Sequence, residues 1–176
     1  MGDVVSSGSP LVVEGKDGAI FDTSGIDASA RVCHKDGIHE WIDHRDVMSL
    51  LDAIVYIADD HSRAVGYKHV QPDEFWVPGH FPSAPILPGV LMVEAAAQLM
   101  NWMFNRKRGT KDLGAFLRIN NCSFRNSVTV GDELYILAEE IRFGSRGFTA
   151  RTQGIVRGQV AFSADLSGMV FRTQDK

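Results

Sequence analysis

The stretch from Val90 to Phe104 is apolar on nearly every side, and it constrains the fold more than any other part of the chain. A helix that is hydrophobic all round has no face to offer water, so something must wrap it. At the usual rise it is about 23 Å long. Its strongest apolar part, Val90 to Met100, is well short of the roughly 20 apolar residues a bilayer span needs and has Glu94 and Gln98 inside it. Asn105-Arg106-Lys107-Arg108-Gly109 follows, where basic residues suit the negative helix end and glycine can terminate it. Met92, Met100, Trp102 and Met103 read as packing residues of this helix, not as a cofactor box.

The wrapping has to come from strands. Ala53 to Ala58 and Arg63 to Val70 are β-type runs around an Asp59-Asp60-His61-Ser62 turn, a hairpin preceding the helix. After it come Ala115–Phe124, Glu133–Phe143, Gly147–Val156 and Gln159–Phe171, with Arg157-Gly158 as a tight turn between the last two. A hairpin, one buried helix and four strands make an α+β domain in which an antiparallel sheet closes over a single helix. At 176 residues the chain holds one such domain, expected over 38–176. Residues 1–37, rich in Gly, Ser and Asp, read as an irregular arm that contributes one strand or crosses to a partner. A short helix is expected around His39–Asp52, where Val47, Leu50 and Leu51 fall at helical spacing.

The chemistry concentrates in Pro78-Gly79-His80-Phe81-Pro82-Ser83-Ala84-Pro85-Ile86-Leu87-Pro88-Gly89-Val90-Leu91-Met92-Val93-Glu94-Ala95-Ala96-Ala97-Gln98. Pro88 stands where a helix begins and tolerates proline. Gly89 lets a ligand approach the backbone, and the free first-turn N–H groups offer donors to a developing oxyanion. Glu94, in apolar company, is expected to have a raised pKa and to serve as a proton donor. Gln98 lies on the same face at i+4, within reach of Glu94 or a water. His80 is held in a proline-rich loop as the candidate base. Taken singly, each residue has an ordinary reading: a solvated loop histidine, a satisfied buried carboxylate, loop-to-helix punctuation.

Taken together the string resembles the G-H-F-P-x-x-P-x-[ML]-P-G-V-L-x-x-E-x-x-x-Q motif of the 3-hydroxyacyl-acyl carrier protein dehydratases of type II fatty acid synthesis. The resemblance runs from about His44 to Phe171, and includes His44-Arg45, Phe124-Arg125 and Val130-Gly131-Asp132. It implies a hot-dog fold, a curved antiparallel sheet around one long helix. It implies dehydration of a (3R)-3-hydroxyacyl thioester to the trans-2-enoyl thioester, with no organic cofactor. The position matching His80 takes the α-proton, the acid matching Glu94 protonates the departing hydroxyl, and the backbone N–H matching Gly89 holds the thioester oxygen. In that family the histidine and the acid meet across a subunit interface, so the resemblance implies a homodimer, with three dimers forming a hexamer in many members. Glu rather than Asp at position 94 points to the branch that does not isomerise. The chain departs from the pattern in Asp46–Asp52, at Ser83, at Asn126-Ser127 and in its long N-terminal arm.

Substrate-lining residues expected from position are Phe81, Ile86, Leu87, Val90, Val93 and Ala97. Arg106, Lys107, Arg108 and Lys111 are candidates for docking an acidic acyl carrier protein, or else simply a solvated helix end. A formal net charge of −4 speaks against nucleic acid as a partner. The six histidines show no ligand spacing for a metal. Two cysteines give no disulfide framework. Neither a signal peptide nor a membrane span is legible, so a cytoplasmic protein is expected. Two rival functions stand beside the dehydratase: a hot-dog thioesterase, which could use Glu94 but has no need of His80, and a non-catalytic acyl-binding scaffold. The same residues would also serve the reverse hydration.

Overall fold

A computed structural model describes residues 9–13 and 18–171 of the chain. The elements run β1 (Cys33–His34), α1 (Lys35–His39), a single 3-10 turn (Asp46–Met48), β2 (Ala53–Ile57), β3 (Arg63–His69), α2 (Gly89–Arg108), β4 (Leu113–Phe124), β5 (Glu133–Phe143), β6 (Gly147–Val156) and β7 (Gln159–Phe171). All seven strands form one antiparallel sheet in the order β1-β2-β3-β5-β6-β7-β4. The expected α+β hot-dog arrangement is what forms: the sheet wraps α2.

The helix is longer than its apolar run, 20 residues or about 30 Å. Pro88 is its N-cap rather than its first residue. At the far end Gly109 adopts φ +68°, which a side chain would resist. Thr110 N–H bonds Asn105 O and Gly109 N–H bonds Arg106 O, closing the helix as a Schellman motif. Asn105, fully buried, adds a second lock: its amide donates to the carbonyls of Trp41 and Asp112. Ala95, Ala96, Leu99, Trp102, Met103 and Phe104 are all buried against the inner face of the sheet, with Leu134, Ile136, Phe162 and Leu166 opposite them. The Arg157-Gly158 turn has φ of +50° and +68°, the left-handed pair that a two-residue hairpin requires.

Two expectations change. No helix forms over His39–Asp52; the helical turn lies earlier, at Lys35–His39, and only Asp46–Met48 turns again. Side chains occupy the backbone groups a helix would have used. The Arg45 guanidinium donates to the carbonyls of His39, Ile42 and His44. Gln98 bonds the carbonyl of Met48 and the N–H of Leu50. Leu50 and Leu51 are still buried, but from an extended segment, while Val47 is exposed. The described part of the N-terminal arm is packed rather than loose. Leu11 and Phe21 cover the outer face of the sheet over Val55, Val65, Tyr67, Leu137 and Ile155, and the arm ends in β1, paired to β2. Among the described residues no helix is long and apolar enough to cross a membrane.

Candidate active site

His80 sits in a loop whose backbone is tied at several points. Its N–H bonds Trp76 O, its carbonyl accepts from Ile86 N–H, and Leu87 N–H bonds Val128 O on the strand side. The His80–Phe81 peptide bond is cis. The ring is oriented by one contact, Nδ1 to the carbonyl oxygen of Ile86 at 2.8 Å. A carbonyl only accepts, so Nδ1 carries the hydrogen and Nε2 keeps its lone pair. That is the tautomer a general base requires. The exposed Phe81 ring stacks on the imidazole at 4.2 Å.

A groove of about 450 Å³ opens beside this histidine, lined by Ile86, Leu87, Gly89, Val90, Phe124 and Arg125 among others. Gly89 begins α2, so its N–H lies ahead of the first intrahelical bond, at the positive end of the helix dipole. A Cβ at this position would stand 2.7 Å from the Phe124 ring, so a side chain here would require that ring to move. The structure thus brings His80, Gly89, Ile86, Leu87 and Val90 to one groove. Val93 is elsewhere, in the core.

Glu94 lines a different cavity, with His44, Ala97, Asn101, Phe116 and Phe148. At 100° per residue, positions 89 and 94 lie about 140° apart around the helix, and in this chain they line different cavities. Gln98 donates to Glu94 Oε1 at 2.9 Å, as the i+4 spacing suggests. The same amide bonds Met48 O and Leu50 N–H, and the residue is 1% exposed. Its amide hydrogens go to Glu94 and Met48, so Gln98 holds the Glu94 carboxylate, one of the two partners its spacing suggested.

His44 approaches the same carboxylate oxygen, Nε2 to Oε1 at 3.4 Å. This residue was legible only as a motif member; nothing local in the sequence ties it to Glu94, fifty residues later. The pair also reverses the expected pKa. Burial pushes the Glu94 carboxyl up, but the bonds from His44 and Gln98 and the attraction of His44 outweigh it and hold the carboxyl below its ordinary value. A depressed carboxyl stabilises the fold above its unfolded-state pKa and withdraws that support as pH falls through the folded value. His44→Phe leaves burial opposed by Gln98 alone, so the Glu94 titration, followed by carboxyl NMR, is expected to move to higher pH. The acid side of the stability profile should flatten with it. An unmoved titration would show that His44 does not set the carboxyl.

The basic cluster at the end of α2 is engaged within the chain. Arg106 lies over the rings of Trp41 and Trp102, Lys107 bonds both oxygens of Glu140, Arg108 donates to Ser145 O and faces Asp112, and Lys111 pairs with Asp43. These contacts favour the helix-end reading of the four residues over a docking patch. Among the described residues no group of three or more His, Cys, Asp or Glu side chains could hold a metal ion.

Comparisons with known proteins converge on this same region. The family model for the FabA-like domain matches residues 42–165. The 3-hydroxyacyl-[acyl-carrier-protein] dehydratase FabZ of Bacillus subtilis is 38% identical over 133 residues, covering 74% of this chain and 92% of that protein. The corresponding FabZ of Anoxybacillus flavithermus is 40% identical over 119 residues, covering 67% and 82%. Among solved structures, the dehydratase heterocomplex ApeI:P from Xenorhabdus doucetiae superposes with a TM-score of 0.69 at 18% identity, over 81% of this chain and 94% of that one. A hypothetical thioesterase with coenzyme A from Streptococcus pneumoniae reaches 0.53 at 14% identity, over 69% and 87%, a likeness of fold alone.

Proposed function

The chain belongs to the FabA-like family, among relatives that are 3-hydroxyacyl-[acyl-carrier-protein] dehydratases, and from that premise we propose that it removes water from a carrier-bound 3-hydroxyacyl thioester with His80 as base and Glu94 of a second copy as acid. The observation that carries the residue assignment is the His80 tautomer: Nδ1 is held on Ile86 O, which leaves Nε2 with its lone pair, and His80 lines the same groove as Gly89. His80 Nε2 takes the α-proton, the thioester oxygen gathers charge toward Gly89 N–H, the C3–O bond breaks, and the hydroxyl leaves as water with a proton from Glu94. Glu94 acts in its protonated form; the proton gained by His80 is then released to solvent as Glu94 takes one up, so each turnover returns both groups to their starting states with no net proton gained or lost.

The second copy is supported by β4. This strand is one of the two sheet edges, paired among the described residues only to β7, and Leu117, Ile119 and Phe124 on it are exposed. An unpaired edge of this length is a template for another strand. Its two ends belong to the two cavities: Gly114–Phe116 line the Glu94 pocket and Phe124 lines the His80 groove. Antiparallel pairing of β4 with its own copy, about a two-fold between Ile119 and Asn120, sets Phe124 of one chain beside Ala115 of the other. That closes the distance which the helix geometry imposes within one chain. The dimer completes the site whether it stands alone or as one of three in a hexamer. Work in the cytoplasm is part of this reading.

Following enoyl absorbance and free thiol together, on a 3-hydroxyacyl-pantetheine, tests the proposal. Enoyl thioester without thiol is the expected result. Thiol without enoyl product would make the protein a thioesterase, and silence in both channels would leave an acyl-binding scaffold.

A further inference from the structure

An oxyanion donor helps only if it is already aimed before the charge develops. Gly89 is poorly placed to stay aimed by itself. It is the first residue of α2, and the N-cap before it, Pro88, makes no side-chain capping bond. Uncapped helix ends fray, and glycine resists that least of all residues. Its neighbour Val90 is 69% exposed, so little packing holds the turn from that side. The one backbone bond that closes the turn runs from Leu91 N–H to Pro88 O.

What stands against Gly89 is Phe124, the last residue of β4. A Cβ on Gly89 would meet three atoms of that ring at 2.7, 2.8 and 2.9 Å, so the ring occupies the place of the missing side chain. Phe124 is itself held to the sheet. It pairs with the fully buried Phe162 of β7, Arg125 N–H bonds Ala161 O just after it, and the Asn126 amide donates to Val160 O. The helix start is thereby braced against the sheet by one aromatic ring. We propose that Phe124 is a positioning residue, whose ring fixes the first turn of α2 and so keeps the Gly89 N–H on the thioester oxygen. In the single chain the ring is 51% exposed; the β4 pairing described above sets Ala115 of the other chain beside it, so the same seam that joins the two copies backs the clamp. The inference rests on the dehydratase reading and on Gly89 N–H holding the thioester oxygen.

The test reads two signals from wild type, Phe124→Ala and Phe124→Tyr, each confirmed as a dimer by light scattering. Phe124→Ala should lower kcat for a 3-hydroxyacyl-pantetheine by about ten- to a hundred-fold with little change in KM, because a donor that drifts costs most in the transition state. Phe124→Tyr keeps the ring and should recover most of that loss. The second signal is the infrared carbonyl band of bound butyryl-pantetheine, isotope-labelled at its thioester carbonyl; with no 3-hydroxyl, this probe cannot turn over. In the wild type the band should lie at lower frequency than in free solution, and in Phe124→Ala it should return toward the free position. A ring that served stability alone would lower the melting temperature but leave kcat per folded dimer and the band where they were, and that result would overturn the inference. Where alanine impairs folding or pairing, Phe124→Leu keeps an apolar side chain on the seam without a flat ring; both changes should then appear in smaller size, and neither appearing would overturn the inference equally. An unshifted band in an active wild type would remove Gly89 from its role, and this inference with it. A wild type that forms no enoyl thioester would overturn the dehydratase reading itself.

Discussion

His80→Ala is expected to lower kcat/KM for a 3-hydroxyacyl thioester by on the order of 10²–10⁴-fold, the range over which a positioned acid or base contributes. The loss should fall in kcat with little change in KM, because the imidazole acts on the α-proton and makes no contact that holds the thioester in the ground state. His80 is only partly buried, in a loop secured by backbone bonds that alanine retains, so thermal stability should stay near that of the wild type. Glu94→Gln should lose activity on the same scale for a different reason. The amide can still accept from Gln98, as the carboxylate does, but has no proton to release. A variant at either position with activity near wild type would remove that residue from the mechanism.

Leu117→Lys with Ile119→Lys is expected to abolish dimer and activity together. Both side chains are exposed in the single chain, at 55% and 52%, so the substitutions leave its own core untouched. Opposite a second copy of β4 they would bury two ammonium groups per chain, at several kcal/mol for each ion. Since 1.4 kcal/mol is ten-fold in an equilibrium constant, the dimer should weaken by at least about a thousand-fold. Light scattering should then show a monomer at micromolar protein, with turnover reduced to a few per cent or less. Monomers that remain fully active would show that one chain contains the whole site.

Much of this was legible because each part depends on local chemistry. The all-round apolar α2, the glycine at its end and the left-handed Arg157-Gly158 turn each follow from residues close in sequence. The motif string likewise located the His80 loop, Gly89 and Glu94. What could not be read was long-range. Gln98 reaches across the fold to take the backbone groups of Met48 and Leu50, while Arg45 turns back on the carbonyls of His39 and Ile42, and an extended segment replaces the expected helix. His44 arrives beside Glu94 from a distant loop and reverses the pKa that burial alone would give. The described arm shows the same limit: Leu11 and Phe21 are buried only because the outer face of the sheet offers Val65 and Leu137 to cover, which no stretch of the arm announces.

The central claim, that His80 of one chain works with Glu94 of another, is tested most directly by mixing two dead enzymes. His80→Ala and Glu94→Gln chains, co-expressed or unfolded and refolded together in equal amounts, form mixed dimers in which one of the two sites has both wild-type residues. An isologous pairing therefore predicts recovery of about a quarter of the wild-type rate of enoyl thioester formation, from two preparations that are each inactive alone. No recovery, with mixed dimers demonstrated by differential tagging, would contradict the account and place both residues of each site in a single chain.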